Sequence, residues 1–84
     1  MKSIATPDFW ECYYALPEDI RRRADLVYEL WSENPRHPSL QFMRKGPWWS
    51  VRVTDDYRAL GDLDDDTMVW FFIGAHAEYM RMLR

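Results

Sequence analysis

Between Pro17 and Asn34 the apolar residues Ile20, Ala24, Val27, Tyr28 and Trp31 recur at helical spacing, while Arg21, Arg22, Asp25, Glu29 and Ser32 fall away from that stripe. The pattern predicts an amphipathic helix. Pro17 opens it, Glu18 and Asp19 suit the positive end of its dipole, and Asn34-Pro35 ends it. A shorter helix is expected before it, to about Ala15: Thr6 is a cap, Pro7 takes the first position, where a missing N–H costs nothing, and Phe9, Tyr13 and Leu16 stack on one face. Lys2 to Ala5 reads as a short strand. Two helices joined at Leu16-Pro17 make a helical hairpin.

Pro38 keeps the NPRHPSL segment irregular, His37 being a rigid-loop residue, and from Ser39 the period becomes two. Leu40 and Phe42 alternate with polar residues, Gly46-Pro47 marks a turn, and Trp49, Val51 and Val53 alternate with Ser50, Arg52 and Thr54. Asp55-Asp56 forms a tight connection, Tyr57 to Asp62 runs back, and Asp64 to Asp66 turns the chain again. These segments predict a β-meander. Met68 to Ile73 is instead an unbroken apolar run, as expected of a central strand covered on both faces. His76 to Leu83 supplies a last helical turn or two.

Eighty-four residues, 48% of them hydrophobic, suffice for a single domain, residues 1–84. One cysteine excludes an internal disulfide, and neither a signal-like stretch nor a membrane-length apolar run is present, so a reducing, cytoplasmic setting is expected. A net charge of −3 weighs against a nucleic-acid ligand in bulk but permits a local basic face. With three glycines and neither a phosphate-loop motif, zinc spacing nor nucleophile elbow, the nucleotide-loop, zinc and serine-hydrolase classes fall away. Metal-free chemistry or binding remains, and no cofactor is expected.

Arg52 lies out of phase with Val51 and Val53, so it should project from the sheet face opposite the helices, and Arg58 lies on the adjoining strand. If the strands pair through Asp55-Asp56, two guanidinium groups come close, with donors suited to a phosphate; the plainer reading pairs each with a nearby aspartate. His76 follows the central strand and can exchange protons near neutrality, or simply cap the last helix. Tyr79, one turn on, is a phosphate donor, a base-stacking ring or a core residue. Arg44-Lys45 is an adjacent basic pair suited to RNA or to a solvated loop, and Arg21-Arg22-Arg23 is spread round its helix.

The phrases ENPRHPSL, WSVRVTDDYRAL and WFFIGAHAEYMRML, in this order of elements, resemble the RelE/ParE toxin superfamily of type II toxin–antitoxin systems over nearly the whole chain. The resemblance implies an α+β fold, with an N-terminal strand and helical hairpin packed on a curved antiparallel sheet and a short C-terminal helix. It further implies metal-independent cleavage of messenger RNA on the ribosome. Arg52 and Arg58 would hold the scissile phosphate, His76 would be the acid or base, Tyr79 would orient substrate, and Arg44 and Lys45 would contact RNA. The partners implied are a cognate antitoxin, the ribosome and mRNA. Two alternatives stand beside this: a ParE-like, non-enzymatic inhibitor of DNA gyrase, and a degenerate toxin fold that binds protein through exposed Trp48, Trp49 and Trp70.

Overall fold

Thr6 opens the first helix as its sequence predicts: its Oγ1 accepts from the Phe9 N–H at 3.2 Å, and Pro7 follows at the first helical position. The computed structural model describes residues 1–84, in the order β1 (Lys2–Ala5), α1 (Pro7–Tyr14), α2 (Glu18–Glu33), β2 (Met43–Lys45), β3 (Trp48–Thr54), β4 (Tyr57–Asp64), β5 (Thr67–Ala75) and α3 (His76–Met82). The expected stripe of α2 buries Ala24, Val27 and Trp31. Tyr28 departs from it and is exposed, its ring stacked on the outer side of Trp31 at 6.1 Å. Arg21 is drawn out of the solvent face, donating to the Leu16 carbonyl at 2.9 Å and so closing the end of the α1 segment.

The five strands form one sheet in the order β1-β5-β4-β3-β2. The meander from β2 to β5 is antiparallel as expected, but β1 lies parallel to β5, so the sheet is mixed rather than antiparallel throughout. Leu40 is not in a strand. The His37 Nδ1 accepts from Ser39 N–H and winds Pro38–Leu40 into a short 3-10 turn; Gln41 then takes a left-handed φ of 46°, and extended pairing begins only at Met43.

The unbroken apolar run has a specific cause. Leu60 pairs with Phe72 but Gly61 with Trp70, so Phe71 has no partner and forms a bulge. The alternation slips by one residue there. Met68, Trp70 and Ile73 face α1 and α2 together with Val51, Val53 and Ala59, while Phe72 turns to the other face, against Leu60 and Tyr79 of α3. Strand β5 is thus interior and covered on both sides. No helix is long and apolar enough to cross a membrane.

Candidate active site

Strand alternation puts Ser50 and Arg52 of β3 on the α3 face, and pairing sets Arg52 directly opposite Arg58, with Gly74 of β5 next in the same row. The two arginines therefore occupy directly opposed positions on adjoining strands. Two like charges in directly opposed positions repel, and each arginine is compensated locally. Arg52 Nη2 forms a short ion pair with Asp55 Oδ1. Arg58 Nη1 donates to the turn carbonyls of Thr54, of Asp55 at 3.2 Å and of Tyr57 at 3.0 Å. The plainer reading thus holds for Arg52 and not for Arg58, which braces the hairpin through backbone oxygens. A second bulge, at Val53, lies between the Arg52–Arg58 and Thr54–Tyr57 pairs and increases the local twist where the arginines stand.

The hairpin turn is tied to the start of α3, since the His76 N–H donates to the Asp56 carbonyl at 2.7 Å. That bond brings His76 to the same end of the sheet as the arginines. Its imidazole is exposed, with the ring centroid 5.5 Å from that of Tyr79 and the planes tilted by 33°. Tyr79 itself is 3% exposed and packed on Leu60 and Phe72. Its faces are occupied by the core, so it supports His76 from beneath and has no free face for a base.

Arg44 and Lys45 do not act as a pair. Alternation sends them to opposite faces of the edge strand β2; Lys45 pairs with Trp48 on the arginine face, while Arg44 pairs with Trp49 and donates to the Gly46 carbonyl at 3.3 Å. The three tryptophans expected as a contact surface are not exposed together. Trp70 is buried and donates to Ser3 Oγ at 3.1 Å, Trp48 packs edge-on to Phe71 at 5.0 Å, and Trp49 lies against Phe42 at 4.8 Å. Trp10 of α1 is the exposed one.

A cavity of about 660 Å³ lies on the other side of the sheet, between the helical hairpin and β1, β3, β4 and β5. Phe9, Trp10, Tyr13, Val27, Trp31 and Trp70 are among its mostly apolar walls. It suits apolar side chains of a partner better than proton transfer. Nowhere in the chain do three or more His, Cys, Asp or Glu side chains group so as to hold a metal ion.

Sequence reasoning missed two supporting residues, Phe72 and Gly74. A Cβ built at Gly74 would meet Phe72 Cζ at 2.8 Å, so the ring of Phe72 lies over this glycine, beside Arg58. The only sequence signal for this was a glycine inside an otherwise apolar strand.

The family model that matches the chain is described as a ParE-like toxin domain and covers residues 18–81. The fold is similar to that of a chain in the RelB–RelE antitoxin–toxin complex from Methanococcus jannaschii, at 17% identity and TM-score 0.70, over 96% of this chain and 99% of that one. It is likewise similar to YafQ from E. coli (12% identity, TM-score 0.71, 93% and 96% covered). The RelBE2 toxin–antitoxin complex from Mycobacterium tuberculosis also contains a similar chain (22% identity, TM-score 0.61, 89% and 96% covered). No match was found among curated protein sequences.

Proposed function

The chain belongs to the ParE-like toxin family, and from that premise we propose that it is the toxin of a type II toxin–antitoxin pair that cleaves messenger RNA on the ribosome. The observation that carries this reading is the opposed Arg52–Arg58 pair, with His76 bonded to the same hairpin turn. A phosphodiester set over the arginines would have its developing negative charge met by fixed guanidinium donors. His76 exchanges the proton: the 2′-oxygen loses its proton and forms a bond to phosphorus, the bond from phosphorus to the 5′-oxygen breaks, and that oxygen is protonated. The products are a 2′,3′-cyclic phosphate and a 5′-hydroxyl. Tyr79 fixes the imidazole, and Lys45, on the arginine face four residues along the register from Arg52, extends the track by roughly 14 Å at strand spacing.

The reading of an antitoxin partner is supported by the apolar cavity beside the open edge of β1, which offers both strand pairing and pockets for alternate side chains. In a translating extract, the purified protein should cut message and leave cyclic-phosphate ends. Arg52→Ala and His76→Ala should each lower the cleavage rate by about 10²-fold or more. Full cutting by His76→Ala, or no cutting by the parent protein, defeats the assignment. The net charge of −3 supports a second reading, inhibition of DNA gyrase through protein contacts. A supercoiling assay separates the two, because that activity should survive His76→Ala.

A further inference from the structure

Asp55 is placed as no turn residue needs to be. An aspartate in a hairpin turn ordinarily bonds its own backbone two residues on; here Thr54 Oγ1 serves the turn instead, accepting from the Asp56 N–H at 3.2 Å. The Asp55 side chain is 88% exposed, so packing does not fix it, yet its Oδ1 is against Arg52 Nη2. It is one of two ion pairs in the chain; the other, Arg22–Glu18, joins exposed residues along α2. Of the six aspartates in the strand region, Asp55 alone touches an arginine. The carboxyl is held below its usual range, chiefly by the Arg52 hydrogen bond and charge, with a smaller contribution from the charge of Arg58, so it senses both members of the opposed pair.

We propose that Asp55 is a resident competitor for the oxyanion that the arginine pair binds: its carboxylate occupies the Arg52 guanidinium, and an RNA phosphodiester must displace it. The inference rests on the phosphate-holding role given to the arginines above. Two features make the displacement feasible. The carboxylate stands on an exposed turn and can swing into water without opening the core, and Arg58 is held by turn carbonyls, so one guanidinium keeps its place while the other changes partner. Asp55 thereby weakens capture of any single phosphate, and selects for ligands that make further contacts along the face.

The test measures binding of a 2′-O-methyl RNA hexamer, which lacks the attacking hydroxyl, by fluorescence anisotropy at low salt. Asp55→Asn should bind about two- to fivefold more tightly, the range expected of an exposed ion pair. Asp56→Asn makes the same change in net charge one residue away without contact to an arginine, so it should gain less. Both gains should shrink as salt rises. An Asp55→Asn affinity equal to or weaker than the parent's, or no greater than that of Asp56→Asn, overturns the competitor role. If that happens while Arg52→Ala still weakens binding, the arginines hold phosphate without it. If Arg52→Ala leaves binding unchanged, the arginine reading fails and the competitor role fails with it.

Discussion

Substituting Gly74 by alanine tests whether the arginine row is built on the packing of Phe72. Gly74 has no positive φ, so alanine meets no backbone penalty there, and the loss of unfolded-state freedom should by itself stabilise the chain by about 0.4–1 kcal/mol. Against this stands the new methyl, 2.8 Å from Phe72 Cζ and 3.2 Å from Cε1, where ordinary carbon contacts lie at roughly 3.5–4.0 Å. The ring must retreat, but Leu60 at 0% exposure and Tyr79 at 3% lie against it. Overpacking of this kind costs about 1–3 kcal/mol. Overpacking should win, for a net loss of about 1–2 kcal/mol. Urea unfolding followed by tryptophan fluorescence would register it, as a midpoint lowered by roughly 1–2 M for a slope near 1 kcal/mol/M. Resonances of Tyr79 and His76 should move as the ring is pushed, while Trp31 in the larger core should not. Gly46→Ala is the contrasting case: nothing lies within 4 Å, and its cost of about 1–2 kcal/mol comes from a φ of +59° alone. A Gly74→Ala protein as stable as its parent would refute the reasoning.

Removing the α1 cap by Thr6→Ala should cost about 1 kcal/mol in the same unfolding assay, because the Phe9 N–H loses its acceptor. Tyr13 Oη donates to Asp25 Oδ1 at 2.8 Å, and that bond, burial and the aspartate's charge raise the phenol above its ordinary value of 10.0. A raised pKa contributes stability that is whole below pH 10 and is lost as pH rises through the folded value. An ultraviolet titration should therefore show one late phenol that disappears in Tyr13→Phe and moves down in Asp25→Asn. For Asp55 the sign is opposite: its lowered pKa gives stability present above the ordinary 3.8 and lost as pH falls through the folded value. Carboxyl chemical shifts should place it late on acidification in the parent, and back toward 3.8 in Arg52→Ala.

Local signals were legible where one short-range cause acts alone. Thr6-Pro7 marked the helix start, the stripe of α2 marked its buried face, and phase along Val51, Arg52 and Val53 put the guanidinium on the face away from the helical hairpin. Phase failed where the ladder slips. Nothing in Trp70-Phe71-Phe72-Ile73 shows which residue is the bulge, because that depends on the register of Leu60 and Gly61 in another strand. Tyr28 fitted the helical stripe but stands beyond the edge of what the sheet covers. At the site, the arginine pair followed from alternation and turn length together. The Asp56–His76 bond did not, because a backbone carbonyl carries no side-chain identity to read. Tyr79 had three open roles, and its packing against Leu60 and Phe72 makes it a core residue, which the sequence around it could not show.

On the proposed reading, the net charge of −3 does not by itself keep an anion from the arginines, because charge acts over a limited range. Asp62, Asp64, Asp65 and Asp66 carry much of the negative charge of the sheet, but they lie toward the other end of the β4–β5 hairpin. Arg58 and Asp62, the nearest of them along β4, are four residues apart, roughly 14 Å at strand spacing, against a screening length of about 8 Å at physiological salt. Their field on the arginines is largely quenched. Asp55 and Asp56 stand on the hairpin turn itself, and Glu78 of α3 lines one pocket with Tyr57 and Gly74 at the same end of the sheet. On the proposed reading, affinity for an anion at the hairpin end follows from which carboxylate is engaged rather than from the total of −3. Because Asp55 is bonded to Arg52 and Asp56 faces no arginine, equal changes in charge at these neighbouring positions should have unequal effects on binding. A uniform field would make them equivalent; contact does not.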